Sequence, residues 1–125
     1  MKVKISLLIF VSVIITSAAQ IVNPVEKFAL PVNLSESSGA IFFNNRLITH
    51  NDSGGENKLF ELDTLSGLVT RTITISNAIN IDWEDLAQDD TSIYIGDIGN
   101  NVSGNRTDLK IYKISKSDYL SSETI

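Results

Sequence analysis

Beyond the first twenty residues, apolar and polar positions alternate in short runs broken by Gly, Asn, Asp and Ser, and a helical three-to-four-residue period is never sustained. Residues 25–30 read as a short strand that stops at Pro31, since proline fixes φ and removes a backbone donor. Residues 38–43 form a second apolar run. Asn44-Asn45 suits the left-handed backbone of a tight hairpin turn, and residues 46–50 are the return strand. Asn51-Asp52-Ser53-Gly54-Gly55 is a loop by composition; residues 58–63 and 69–75 then alternate in the two-residue period of half-exposed strands, joined through Ser66-Gly67. The pattern is that of an all-β chain.

The same order of parts begins again after residue 80. Residues 84–87, a turn at Asp89-Asp90-Thr91, and residues 92–96 follow the earlier hairpin at a constant offset of 46, which also lays Asn51 on Asp97. Residues 109–114 match 58–63 at an offset of 52, the extra length lying in the loop around Val102 to Thr107. A four-strand unit recurring at about 40 to 50 residues is the signature of a β-propeller blade. The expectation is therefore about two four-stranded antiparallel blades, 38–75 and 84–125, of a truncated propeller. Shifting residues 69–75 by 52 places the last strand of the second blade at 121–127, so that blade is expected to be incomplete. Residues 27–30 stand upstream of Glu36 as 72–75 stand upstream of Glu84, the place of an outer strand from a preceding blade. The chain reads as the N-terminal part of a longer protein whose remaining blades are its first partners.

The leader adds a compartment. Lys2 and Lys4 precede an apolar run from residue 5 to 15, and Thr16-Ser17-Ala18-Ala19 offers the small residues of a signal-peptidase site. Residues 1–19 are expected to be a removed signal peptide, with 20–125 a secreted or outer-surface domain. The apolar run falls short of the roughly 20 residues that span a bilayer, so no membrane span is expected after cleavage. Losing Lys2 and Lys4 leaves eight basic against fifteen acidic residues, a net charge of −7 where the precursor has −5. That field and the lack of any basic patch argue against nucleic acid and for cations. With no cysteine, stability must come from the core, from metal or from further chain.

In a blade whose strands run alternately up and down, the second-to-third connection and the blade-to-blade connection emerge at the same end. That brings together Asn51 to Gly55, Asp82 to Asp85 and Asp97 to Asn101. Asp82, Glu84, Asp85, Asp97, Asn51, Asp52 and Asn100, with Asn101, supply hard oxygen donors and no thiolate, a set suited to Ca²⁺ or Mg²⁺. The competing reading is that Asp and Asn in Gly-rich loops shape turns. Trp83 reads first as cover for the core between blades and second as a ligand platform. His50, the sole histidine, sits beside Asn51-Asp52-Ser53, but one short loop rarely sets imidazole between nucleophile and carboxylate, so it reads as the polar end of a strand. Asn33, Asn51, Asn101 and Asn105 open Asn-x-Ser/Thr sequons, which carry little weight in so Asn- and Ser-rich a chain.

The series Glu36-x-Ser38-Gly39, His50-Asn51-Asp52-Ser53-Gly54-Gly55, Asp82-Trp83-Glu84-Asp85-Leu86-Ala87 and Gly96-Asp97-Ile98-Gly99-Asn100-Asn101, with Arg106 and Ile111-Tyr112, resembles the N-terminal half of secreted Bacteroidetes-type propeller proteins. These look related to phytase-like and NHL-like six-bladed propellers. The resemblance implies a propeller fold and an extracellular or outer-surface location, and carries function weakly, since a shared fold does not carry a reaction. Two functions follow as expectations: a module whose acidic face binds calcium, a small molecule or another extracellular ligand, or part of a calcium-dependent hydrolase of the phosphoesterase or lactonase type. Arg106 is the nearest candidate for holding a phosphate in the second case.

Overall fold

The computed structural model describes residues 22–125; the expected signal peptide, 1–19, lies outside them. Among the described residues seven strands form two antiparallel sheets. The first has the order β1 (Ser37–Phe43), β2 (Arg46–Asn51), β3 (Lys58–Leu62), β4 (Val69–Thr74), and the second the order β5 (Trp83–Gln88), β6 (Ser92–Asp97), β7 (Lys110–Ser115). Each strand pairs with its sequence neighbour, so every connection within a sheet is local. Asn44 and Asn45 take φ of 50° and 58°, as the hairpin between β1 and β2 requires, and Gly67, at φ 73°, turns the chain between β3 and β4.

The two sheets share a register. Leu47 faces Leu62 and Thr49 faces Phe60 in the first; Ile93 faces Ile114 and Ile95 faces Tyr112 in the second, separated by 46 and 52 residues from their counterparts. Even the irregularity recurs. The first strand of each sheet carries a bulge, between Ser37 and Gly39 in one and between Trp83 and Asp85 in the other, again 46 residues apart. A bulge re-aims side chains at the end of a ladder, and both lie beside the acidic loops.

One face of each sheet meets the other. Ile41, Ile48, Leu59 and Ile73 from the first sheet pack with Leu86, Ile93, Ile95 and Ile114 from the second, and Trp83 and Tyr119 complete this core without solvent exposure. Gly39 makes the close approach possible: a β-carbon there would stand 2.8 Å from the Asp85 Cα and the Leu86 nitrogen. On the far face of the first sheet, Leu34 from a 3-10 turn, Val32–Leu34, covers Phe60 and Leu62.

Three expectations change. Residues 25–30 are not a strand; the segment joins no ladder and is mostly exposed, with Phe28 resting on Gly67. The described residues, expected to be all-β, include one short α-helix, α1 (Lys116–Ser121), where Ser115 accepts a hydrogen bond from the Asp118 nitrogen at 3.0 Å as N-cap, and Asp118 lies in the first turn. The residues expected to start a fourth strand of the second sheet instead return to the first. Thr124 bridges Thr74 in parallel, with Thr74 N–H donating to the Glu123 carbonyl and Ile125 N–H to the Thr74 carbonyl, both at 2.9 Å. Arg71 fixes this return by donating to the Tyr119 and Ser122 carbonyls at 2.9 and 2.6 Å while pairing with Glu61 at 3.3 Å. The second sheet thus has three strands. No helix among the described residues is long and apolar enough to cross a membrane.

Candidate metal site

The bulges and the alternating strand directions bring three loops to one end of the sheets. Asn80, in the connection from β4 to β5, donates its amide to the carbonyls of Asn51 at 2.9 Å and Asp52 at 3.0 Å, tying the β2–β3 loop to that connection. Gly99 N–H donates to the Asp82 carbonyl at 3.0 Å and Asn101 donates to the Glu84 carboxylate at 2.9 Å, tying the β6–β7 loop to the start of β5.

Within this frame Asp52, Asp82 and Glu84, all half-buried, bring one carboxylate oxygen each within 4.8 Å of one another. Three anionic oxygens that close repel one another. Burial, hydrogen bonding to Asp52 and the charges of Asp52 and Glu84 push the Asp82 pKa above the ordinary carboxylate range, against the opposing pull of Arg106. The Asp82 carboxyl lies directly over the Cα of Gly99, in the space a β-carbon would need. Asp97, fully buried behind the cluster, accepts from the Asp82 nitrogen at 3.1 Å and from Arg106 at 3.0 Å through Oδ1, while its Oδ2 has no partner.

The other candidate ligands are placed differently. Asp85 accepts from the Leu86 nitrogen at 2.8 Å, half a strand period out of the cluster. Asn51 donates its amide to the Asn33 carbonyl at 2.9 Å, and its carbonyl oxygen Oδ1 is buried without a partner. Asn100 accepts from the Arg106 nitrogen at 2.9 Å, shaping the loop. Arg106 itself is spent on structure: besides Asp97 it donates to Asp108 at 3.0 Å and to the Gly99 carbonyl at 2.8 Å. Its guanidinium therefore closes the β6–β7 loop, near enough to Asp82 to oppose the rise in its pKa.

Trp83 is entirely buried, its indole N–H donating to the Ile79 carbonyl at 3.2 Å, so it is core and not a platform. His50 is buried edge-on to Trp83 at 5.7 Å and donates through Nδ1 to the Asn51 carbonyl at 2.9 Å. Burial lowers its pKa, holding it neutral against the nearby carboxylates. Asn80 is the residue that sequence reasoning passed over: buried, it also accepts from the Trp83 nitrogen at 3.1 Å and so sets the entry to β5. Its one sequence signal was its position three residues before Trp83, the spacing of a side-chain cap.

No protein-family model and no curated protein matches the chain. Among solved structures it is similar to the computationally designed Ika4 protein, at 17% identity over 57% of this chain and 41% of that one, with a TM-score of 0.39. The chain thus spans well under half of that protein, and a likeness of this strength carries no argument.

Proposed function

We propose that the two sheets are neighbouring blades of a secreted or cell-surface β-propeller, and that the end carrying Asp52, Asp82 and Glu84 binds a divalent cation, Ca²⁺ by the hardness of the donors. The observation that carries the site is the approach of those three carboxylate oxygens to within 4.8 Å from loops 30 residues apart in sequence. The crowding of Asp52, Asp82 and Glu84 that raises the Asp82 pKa leaves negative charge a cation would compensate. The blade reading rests on the shared 46- and 52-residue register and on head-to-tail stacking: Ile93 and Ile114, on the face of the second sheet that meets the first, correspond to Leu47 and Leu62 in the cluster on the first sheet's far face.

Calorimetric titration with Ca²⁺ tests the site. The expected result is saturable binding that Asp82→Asn abolishes and Asp85→Asn leaves within about threefold, since Asp85 stands outside the cluster; the reverse order, or heat independent of both, sinks the assignment.

A further inference from the structure

Residues 55–58, which lead from the β2–β3 loop into β3, and residues 78–80 of the β4–β5 connection enclose a cavity of about 360 Å³ that none of the three triad carboxylates lines. Its walls are pinned by the chain itself. Asn57 donates its amide to the Ile75 carbonyl at 2.6 Å and its own backbone carbonyl accepts from the Ile75 nitrogen at 2.9 Å, while the Ala78 nitrogen turns back to that Ile75 carbonyl at 3.2 Å. Asn80 is buried, and its side chain is spent on the Asn51 and Asp52 carbonyls and on the Trp83 nitrogen. A cavity held in this way is formed before anything enters it. Its volume stands at the low end of the roughly 300 to 1,000 Å³ of ligand pockets, which suits a small molecule.

With those amides engaged, the cavity presents chiefly three side chains to a ligand. Glu56 and Lys58 form an ion pair at 2.8 Å. The Lys58 nitrogen donates to the Glu56 carbonyl, also at 2.8 Å, a tight bend over Asn57 that keeps the two charges together. Ile79 is 69% exposed beside buried Ala78. An exposed ion pair adds little to a fold, so both charges can be shared with a ligand at small cost. An anion alone would set a like charge against Glu56 and enter the field of a chain whose net charge is −5; a cation alone would crowd Lys58. A small molecule that carries both charges close together answers the pair, ammonium to Glu56 and carboxylate to Lys58, and is neutral in that field. An aliphatic group beside those charges lies on Ile79 and Ala78, where its burial is favourable. We infer that this cavity binds a free α-amino acid with an aliphatic side chain, in its zwitterionic form. The site goes beyond the cation reading and does not rest on it.

Free L-leucine is the probe, titrated into the chain and followed through its backbone amide signals. Saturable shifts are expected at residues 55–58 and 78–80. Leucine amide, which lacks the carboxylate, and N-acetylleucine, which lacks the ammonium, should each bind about tenfold or more weakly, since each leaves one charge of the pair unanswered. Free glycine, with nothing to lay on Ile79, should bind more weakly than leucine, and Ile79→Ser should remove that difference. Glu56→Gln and Lys58→Gln should each weaken leucine binding by about tenfold or more, with the amide spectrum away from the cavity unchanged, which shows the fold intact. Chelator should leave the leucine affinity within about threefold, so the two assignments are read apart. Calcium binding without leucine shifts removes the amino acid and keeps the cation, and leucine shifts without calcium binding do the reverse. No saturable shift, shifts confined to other residues, or equal affinity for leucine and its two blocked forms overturns the assignment.

Discussion

The carboxyl of Asp82 occupies the space over Gly99 that any other residue would fill with its side chain. The hydrogen bond from Gly99 N–H to the Asp82 carbonyl holds the two backbones in that relation at 3.0 Å. Glycine at 99 is thus a condition for where Asp82 points.

Gly99→Ala is accordingly expected to displace the Asp82 carboxyl, which is the free end of a flexible side chain, and to leave the backbone in place. Ca²⁺ affinity should fall about ten- to hundredfold, the usual cost of disturbing a group that orients a ligand. Without calcium the stability should fall by no more than about 1 kcal/mol, the low end for adding a methyl group to a packed site, because the nearest atoms it meets are the free end of the Asp82 side chain. Titration calorimetry and urea unfolding on one variant separate the two effects.

Acid should favour the metal-free fold through Asp82. Its folded pKa is raised above the ordinary value, so its contribution is fully present below about pH 4, the ordinary carboxylate value, and is lost as pH rises through the folded value. In chelator, Asp82→Asn, which keeps the neutral shape, should be more stable than the parent at pH 7, with the difference vanishing in acid. Saturating Ca²⁺ should reverse the order at pH 7. Thermal melts across pH with both ligand states check this.

Trp83→Ala is expected to destabilise by about 3–5 kcal/mol, the range for large aromatic truncations in a core. The indole is fully buried between the sheets, against His50 and within 6.1 Å of Tyr112. Trp83→Phe should recover most of that loss and leave calcium binding within about threefold, since no ligand atom is removed; chemical denaturation with parallel calcium titration reads both.

At Tyr119 the ring and the hydroxyl have opposite value. The ring is buried against Phe43 and under Arg71, whereas the hydroxyl is buried without a hydrogen-bond partner and its pKa is driven up by burial and by Glu61. Tyr119→Phe should be neutral or stabilising by about 1 kcal/mol, because it removes an unsatisfied polar group. Tyr119→Ala should cost about 3–5 kcal/mol and release the 123–125 segment from β4, seen as faster amide exchange at Thr74 and Ile125.

The hairpins were legible because local chemistry fixes them: Asn44-Asn45 and Ser66-Gly67 specify turns whatever lies around them, and a two-residue period survives on every strand with one solvated face. The meeting of the three acidic loops followed from strand direction alone. Which carboxylates face inward did not, because the bulge between Trp83 and Asp85 breaks the alternation that would assign sides. The ends were misread for a different cause. Residues 25–30 have strand composition, but a strand exists only against an edge, and the return of Thr124 to Thr74 depends on Arg71, some fifty residues away, reaching the Ser122 carbonyl. The capping pattern Ser115-Lys116-Ser117-Asp118 was the one local signal of the short helix, overlooked because six residues cannot show a period.

The most direct test of the metal site is the thermal midpoint of the chain with Ca²⁺ at about one hundred times its dissociation constant and then with chelator. Binding to the fold alone should stabilise it by about 2.7 kcal/mol, and the gain should vanish in Asp82→Asn. An equal midpoint in both conditions, or a gain that Asp82→Asn retains, would contradict a cation held by Asp52, Asp82 and Glu84 and return these carboxylates to the shaping of loops.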